Sequence, residues 1–370
     1  MPDNRADMGL RDSIQRAPGA AARDRLVDAR FFDLYDATAR RLVDAGGRLP
    51  LDHGGLRVTD PRRPHLVILG FDRMGRSLAV RAAQARHFVN GASVRVSVID
   101  RDAYRLEQAL LFRYPNFGRT CPLSFHPRGF ESSRALDPLR TKVADPDILT
   151  SLAVCFDRDT LAIEVALRLS DLLAEHSVPL AARILRDVGL VSFIGGGGIP
   201  NQASARISTF SLLEERRKDL AQEDSTDEDL ARAIHEAFCS KREAQGRNPA
   251  TDLSIAPWEQ LSEGFRDSNV QQAGHLRHKL HGIGCTAAPD DDRRPAVTGF
   301  TADEVEIMAR MEHARWMAER WLAGWTPDSK DSVRRRSPYL VPWDQLPEDV
   351  KDYDRKAVEL ILALLRMTSK

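Results

Sequence analysis

The stretch His65-Leu-Val-Ile-Leu-Gly-Phe-Asp-Arg-Met-Gly-Arg-Ser-Leu-Ala79 decides the fold of the chain. An apolar run that ends in glycine and leads into a helical pattern is typical of a strand, a tight turn and a helix. In the dinucleotide-binding pattern GxGxxG, the first glycine makes the turn, the second admits the diphosphate and the third packs helix on strand. Gly70 and Gly75 take the first and third positions, whereas Asp72 takes the second, where a carboxylate crowds and repels a diphosphate. The stretch predicts a Rossmann-type unit with an altered phosphate position.

The next strand, Val94 to Ile99, is followed at once by Asp100. An acidic side chain at this place in a Rossmann unit holds ribose hydroxyls, and Arg101 beside it can accommodate a 2′-phosphate. The ligand expected here is NAD or another adenine nucleotide, and Asp100 is expected to matter more to its binding than Asp72. The expected cofactor site comprises Gly70, Asp72, Arg73, Met74, Gly75, Asp100 and Arg101.

Short apolar runs alternate with helical patterns over the rest of the first half. Runs at 123–125, 152–156 and 180–185 read as further strands, and 76–88, 103–113 and 160–174 read as helices. Strands separated by helices indicate a parallel sheet with crossover connections. We therefore predict an α/β, doubly wound parallel sheet of about five strands over residues 61–200. The tetraglycine Gly195 to Gly198 is read as a hinge or turn near the domain boundary.

The segment before the sheet has two parts. Residues 1–23 are polar and rich in Ala, Arg and Asp, which predicts a disordered N-terminus. Residues 24–60 are predicted to form one amphipathic helix, Asp24 to Ala45, and a hairpin whose turn is Asp52-His53-Gly54-Gly55.

Composition excludes several classes of protein. The 370 residues carry 54 Lys and Arg against 54 Asp and Glu, so no net field draws the chain to nucleic acid. The 4 cysteines are far apart, without metal-ligand spacing, and no apolar run is long enough to span a membrane. We expect a soluble cytoplasmic protein of two domains, with no metal site and no nucleic-acid partner.

Four segments of the first half carry a family resemblance: ILGFDRMGRSLA at 68–79, VSVIDRD at 96–102, LAVCFDRDTLAIEVALRL at 152–169 and PLAARILRDVGL at 179–190. Together they resemble the TrkA-N family, the RCK-type nucleotide-binding domains that gate potassium channels and transporters. The resemblance implies a domain that binds NAD, ADP, ATP or a cyclic dinucleotide without turning it over. It also implies a homodimer formed through this half and a membrane channel or transporter as partner.

The second half contains an internal repeat. Ala231-Arg-Ala-Ile-His235 aligns with Ala309-Arg-Met-Glu-His313, and the register holds as far as Gly246 and Gly324. After loops of unequal length, Pro257-Trp-Glu-Gln-Leu261 aligns with Pro342-Trp-Asp-Gln-Leu346. A register shared on both sides of an unequal loop indicates duplication. Residues 201–370 are therefore predicted to be a mainly α-helical domain with repeats at about 228–285 and 303–366.

The second copy carries MEHARWMAERWLAGW at 311–325 and SPYLVPWDQLPED at 337–349. These segments resemble the ryanodine receptor repeat, called the RyR domain. The resemblance implies a tandem pair that holds an adenine nucleotide or an aromatic drug between tryptophans. The residues that it points to are His313, Arg315, Trp316, Trp325 and Trp343 in the second copy, and His235, Phe238 and Trp258 in the first.

Two geometric expectations follow from these residues. Trp316 and Trp325 are nine residues apart and line one pocket only if the helix ends at or just before Gly324. Arg334, Arg335 and Arg336 either supply positive charge to the ligand or form a solvated loop.

His275, His278 and His281 follow one another at intervals of three residues. On a helix this spacing splays the first and third ring too far for one metal ion, so all three are expected at the surface.

The functional hypothesis is a non-enzymatic regulatory sensor that binds a nucleotide-like small molecule through the RyR-type pocket, the Rossmann cleft or both. No acid, base or nucleophile lies in a catalytic motif, so no catalytic residue is assigned. The alternatives are an NAD(P)-dependent enzyme and a scaffold whose nucleotide site is vestigial.

Overall fold

The computed structural model describes residues 33–43, 47–53, 55–85, 88–130, 136–176, 178–184, 207–212, 226–249, 252–286, 295–331 and 333–368. Within these residues a parallel sheet with flanking helices is followed by a helical region, as the sequence predicts.

The sheet has six strands in the order β3-β2-β1-β4-β5-β6, and every neighbouring pair is parallel. The reversal of strand order between β1 and β4 is the place where α/β sheets bind ligands, outside the carboxyl ends of the strands. The sequence did not predict the sixth strand, which lies past residue 200, the predicted end of this domain. The strands are β1 Arg63–Leu69, β2 Arg95–Asp100, β3 Leu123–Pro127, β4 Ile148–Val154, β5 Leu180–Arg183 and β6 Ile207–Phe210.

Alternate residues of β1 enter two separate apolar cores, one on each face of the sheet. Leu66 and Ile68 belong to one core, and Val67 and Leu69 belong to the other. A strand buried on both faces requires a continuous apolar run, which is what the sequence shows here. The helices of this half are α1 Leu34–Val43, α2 Arg73–Gln84, α3 Ala103–Arg113, α4 Phe117–Thr120, α5 Asp137–Val143 and α6 Asp159–Leu172.

The described residues of the helical half form five helices around one apolar core that contains both Trp258 and Trp343. The first helix of each repeat packs on the last helix of the other, so α7 contacts α11 and α9 contacts α8. This reciprocal packing gives the two copies equivalent surroundings. The helices are α7 Thr226–Ala244, α8 Glu263–Gly282, α9 Ala302–Leu322, α10 Glu348–Glu359 and α11 Ile361–Thr368, with 3-10 turns at Leu253–Ile255, Trp258–Gln260 and Trp343–Gln345.

The segment before the sheet differs from its prediction. The helix is described at Leu34–Val43, and the rest of the predicted helix lies outside the described residues. Residues 51–53 form the expected turn, but the described residues from 47 to 62 contain no strand, so the hairpin is wrong. The predicted disordered N-terminus and the tetraglycine both lie outside the described residues.

The two halves are in contact along α4, α8 and α9. Leu322 of α9 joins the core of the first half, and Asn116 Nδ2 donates a hydrogen bond to the Trp325 carbonyl at 3.0 Å. Gly282 of α8 packs against Val89, where an added Cβ would come within 3.0 Å of the valine. Among the helices that the structure describes, none combines the length and the apolar character needed to cross a membrane.

Candidate functional site

The glycine turn after β1 has the geometry that its sequence predicts. Gly70 has a φ of +84°, in the left-handed region that favours glycine. A Cβ at Gly75 would lie 2.6 Å from the Gly70 carbonyl oxygen, so the third glycine of the pattern is needed for helix–strand packing. A Cβ at Gly70 would lie 2.6 Å from the Phe156 ring, which therefore covers this turn.

Asp72 is the N-cap of α2. Its Oδ1 accepts hydrogen bonds from the backbone N–H groups of Met74 at 2.9 Å and Gly75 at 3.1 Å, and its Oδ2 pairs with Arg183. Backbone N–H groups at a helix N-terminus are the donors that a diphosphate uses in a Rossmann unit. The protein's own carboxylate thus occupies the place that the sequence predicts for the phosphate.

Arg183, at the end of β5, is the cation of this crevice. Its side chain is only 3% exposed, and it also pairs with Asp157, after β4, at 2.7 Å. The Tyr35 ring of α1 lies 5.7 Å from the Arg183 guanidinium carbon and 4.4 Å from that of Arg73. Residues that follow β1, β4 and β5 therefore meet under a tyrosine from the N-terminal helix.

The two carboxyls beside Arg183 differ in their affinity for a proton. Burial raises the pKa of Asp72 to about 7, whereas the hydrogen bond with Asp72 lowers the pKa of Asp157. One guanidinium therefore balances the charge of both carboxyls near neutral pH.

The other expected cofactor residues lie around this crevice. Asp100 accepts hydrogen bonds from the backbone N–H groups of Phe71 at 2.8 Å and Asp102 at 2.9 Å, so it holds the glycine turn. Arg101 is exposed beside it. The Met74 side chain has no exposed surface and belongs to the core, so only the backbone N–H of this residue faces the turn.

The two Trp anchors of the helical half share one kind of histidine contact. His235 Nε2 donates to the Ala256 carbonyl at 2.8 Å, and His313 Nε2 donates to the Val341 carbonyl at 2.8 Å. The ring centroids of His235 and Trp258 are 5.9 Å apart, and those of His313 and Trp343 are 5.8 Å apart. Each histidine therefore ties the first helix of its repeat to the Pro-Trp turn.

Charged contacts recur as well. Arg232 pairs with Glu259 at 2.6 Å, and Arg310, at the equivalent place, pairs with Asp344 at 3.4 Å. The histidine contacts and this ion pair thus recur in the two aligned segments, whereas the Trp343 indole also donates to Glu306 at 2.8 Å.

The second repeat carries an aromatic clamp, by which we mean Trp316, Arg320 and Trp325. The Arg320 guanidinium carbon lies 5.7 Å from the Trp316 ring centroid and 4.7 Å from that of Trp325. Both tryptophans are half-buried, and Trp316 stacks on His313 with centroids 5.7 Å apart. A cation beside two indole rings is a favourable arrangement, because the electron-rich ring faces attract its charge.

The clamp depends on the end of α9. The helix ends at Leu322, and Gly324 has a φ of +81°, so the prediction that the helix ends just before Gly324 is confirmed. The Trp325 N–H then donates to the Arg320 carbonyl at 2.9 Å, which turns the chain back.

Arg315 does not line the clamp. Its side chain is 4% exposed and pairs with Glu312 at 2.7 Å and Glu319 at 3.0 Å. Lys279 of α8 pairs with the same Glu312 at 2.6 Å, and these charges hold the pKa of Glu312 at about 2 despite its burial. The expectation that Arg315 is a ligand contact is therefore corrected to a buried ion-pair network.

The arginine run is partly engaged within its own loop. Arg335 donates to the Ala323 carbonyl at 2.8 Å, and Arg336 pairs with Asp328 at 2.9 Å. Arg334 is exposed, with Asp331 at 3.8 Å. The run therefore braces the loop after α9.

The expectation of surface histidines on α8 is wrong for two of the three. His275 and His278 are 4% and 5% exposed, while His281 is half-buried. His278 lies against Phe88 of the first half, and both of its ring nitrogens lack a hydrogen-bond partner among the described residues. Burial lowers the pKa of His278 to about 4, with Asp52, Lys279 and His281 as the charged or titratable neighbours. The helical spacing was read correctly, but the partner surface was not visible in the sequence.

Sequence reasoning missed Arg183, Tyr35, Asp157 and Arg320. Arg320 follows Trp316 by four residues on the same helix, a spacing that places the two side chains together. The other three lie on separate elements, and no local sequence pattern predicts that they lie together. Among the residues that the structure describes, no group of three or more His, Cys, Asp or Glu side chains is placed to hold a metal ion.

Comparison with known families finds one match in the chain. Residues 293–369 match the model of the RyR domain, which covers the second repeat with its clamp. No curated protein matches the chain.

Proposed function

We propose that the second repeat binds a flat, negatively charged small molecule at the aromatic clamp, and that the chain is a non-enzymatic regulatory protein. The observation that carries this proposal is Arg320 between Trp316 and Trp325. The ligand class is a nucleotide-like molecule, whose base stacks on indole and whose phosphate pairs with the guanidinium.

Among the described residues Arg320 has no close acidic partner, which supports an anionic ligand. The nearest carboxylate, Glu319, lies 3.9 Å away and already pairs with Arg315. Nε of Arg320 has no hydrogen-bond partner in the described part of the chain. An anion at the clamp would supply both the charge and the acceptor.

The first repeat is a degenerate RyR-type copy in this proposal, and it forms a tandem pair with the second. The recurring His, Trp and Arg contacts support the pair. Arg242 lies 5.9 Å from the Phe238 ring, as Arg320 lies beside Trp316, but Asp252 pairs with Arg242 at 3.1 Å. Arg247 stands where the second repeat has Trp325. In the first copy the cation is therefore already paired with a carboxylate, and one aromatic ring takes the place of two. The proposed stoichiometry is accordingly one ligand per chain.

Titration calorimetry with ATP, ADP, NAD and cyclic AMP tests the proposal. We expect at least one of them to bind with a stoichiometry of about one. Trp316→Ala should weaken that binding about 10- to 100-fold, because stacking a base on an aromatic ring contributes about 1 to 3 kcal/mol.

Phe238→Ala is the matched control, because Phe238 has the equivalent position and is 40% exposed. It should leave the affinity unchanged. Absence of binding by every compound, or equal losses in the two variants, would contradict the proposed site.

A further inference from the structure

We propose that Asp72 is a built-in substitute for a ligand phosphate, and that it closes the crevice at the carboxyl ends of β1, β4 and β5 to diphosphates. The resemblance of the first half implies a dinucleotide such as NAD, and the residues present do not fit its diphosphate. The inference concerns the Rossmann half and is independent of the aromatic clamp.

Hydrogen-bond donors give the first argument. The N–H groups of Met74 and Gly75 point out of the first turn of α2, and Asp72 Oδ1 accepts from both. A bound diphosphate needs the donors of this turn, because they carry the positive end of the helix. The carboxylate and the phosphate therefore compete for the same atoms.

Charge gives the second argument. The Arg183 side chain is 3% exposed, and a buried cation requires a partner of opposite charge. Asp72 and Asp157 supply that partner on either side of its guanidinium. A diphosphate in the crevice would add negative charge to a cluster whose cation is already balanced.

Space gives the third argument. The Phe156 ring lies over Gly70 and packs edge-on against Phe130, with centroids 4.8 Å apart. Tyr35 lies against the guanidinium groups of Arg73 and Arg183. The turn is thus lined by the protein's own groups where a dinucleotide would cross the sheet.

The two glycines of the pattern and Arg183 are nevertheless in place for an anion. Gly70 keeps its left-handed turn, Gly75 keeps its close packing, and Nε of Arg183 has no hydrogen-bond partner among the described residues. Removing the carboxylate alone should therefore convert the crevice into an anion site.

Inorganic pyrophosphate is the probe for this conversion, because it lacks the base that the aromatic clamp requires. The full chain and its Asp72→Gly variant are compared by thermal unfolding and by titration calorimetry. The unsubstituted chain should neither bind the probe nor gain thermal stability from it. Asp72→Gly should unfold at a lower temperature than the unsubstituted chain, bind pyrophosphate at least about tenfold more tightly and recover part of the lost stability.

The double variant Asp72→Gly with Arg183→Leu is the control, and its gain should be absent because the cation is gone. If Asp72→Gly does not fold, Asp72→Ser gives the same comparison, since serine caps helices about as well as aspartate and is smaller. Pyrophosphate binding by the unsubstituted chain at the variant's affinity would overturn the proposal. So would a folded Asp72 variant without any gain, or an equal gain in the double variant.

Discussion

The two repeats share one frame, by which we mean the contacts between the histidine of the first helix and the Pro-Trp turn. They differ in the side chains around that frame. In both, a histidine of the first helix donates to the carbonyl before a Pro-Trp turn at 2.8 Å. One residue before and two residues after this histidine, the second repeat buries Glu312 and Arg315, whereas the first has Ile234 and Ala237 at the equivalent places. The apolar contacts of the frame are enough to build the fold in the first copy. The charges and tryptophans of the second copy are additions on that frame.

The additions are concentrated on α9. This helix carries the ion-pair network on the side that meets α8 and the clamp at its C-terminal end. Arg315 and Glu319 join the two, because Glu319 holds Arg315 and stands 3.9 Å from Arg320. We infer that the network fixes the orientation of the helix on which the clamp is built.

The largest expected effect comes from breaking that network. Glu312→Gln removes the shared partner of Lys279 and Arg315, both of which are nearly without exposed surface. Removing one member of a buried ion pair costs about 3 to 5 kcal/mol, because Lys279 then stays buried without its partner while Arg315 keeps only Glu319. Urea unfolding of the variant should show a loss of this size.

A triple variant sharpens the comparison by giving the second repeat the apolar residues of the first. Glu312→Ile and Arg315→Ala copy Ile234 and Ala237, and Lys279→Leu removes the remaining cation. Its stability should be closer to that of the unsubstituted chain than the stability of Glu312→Gln is, because replacing paired buried charges by apolar residues is often neutral and the remaining Glu319 keeps the Ser268 hydroxyl as a donor at 2.9 Å. A triple variant as unstable as Glu312→Gln would mean that the charges are needed for folding itself.

The next effect concerns the last helix of each repeat and depends on pH. His278 of α8 is buried against the first half, whereas the equivalent residue of the second repeat, Ala363, is exposed. The pKa of His278 is lowered to about 4 in the folded chain, against about 6.5 when the chain is unfolded. The folded state thus resists a proton that the unfolded state accepts.

The direction of the pH dependence of stability follows from this difference between the two pKa values of His278. The contribution of His278 is complete above pH 6.5 and is lost as the pH falls from about 6.5 towards 4, by about 3 kcal/mol in total. Unfolding measured across this range should show the loss, and His278→Phe should reduce it. The same slope in His278→Phe, or the same reduction in a control His176→Phe at a half-buried histidine, would rule out His278 as its source.

How much the sequence could predict depends on the distance along the chain over which residues interact. The strand, turn and helix around Gly70 and the end of α9 at Gly324 rest on residues that are close together in the sequence. They were predicted correctly. The role of Arg183 and the burial of His278 depend on elements far apart in the sequence. The sequence around a polar residue does not show whether an apolar surface from elsewhere in the chain covers it. His275 and His278 were therefore predicted to lie at the surface.

Arg315 shows a different limit. The resemblance pointed to a ligand contact, and the residue type fitted, since arginine binds both phosphate and carboxylate. Its position on α9, between Glu312 and Glu319 at helical spacing, already offered two carboxylates. The ion pairs that this helical spacing predicts indicated the position of the Arg315 side chain better than the family resemblance did.

The smallest expected effect compares the two glycines that end the first helices. Gly246 and Gly324 have φ values of +79° and +81°, and an added Cβ would meet no atom within 4 Å at Gly246 and only Arg335 at 3.8 Å at Gly324. Alanine at either position is therefore strained by its backbone conformation alone, which costs about 1 to 2 kcal/mol. Urea unfolding should show similar losses for Gly246→Ala and Gly324→Ala.

The effects of these two variants on the clamp should differ, because Gly324 sets the direction in which Trp325 leaves the helix, whereas Gly246 precedes the exposed Arg247. Tryptophan fluorescence titrated with the nucleotide that binds should show weaker binding in Gly324→Ala only. If Gly246→Ala weakens binding to the same degree, the ligand contacts both repeats, and the assignment of one site to the second copy is wrong.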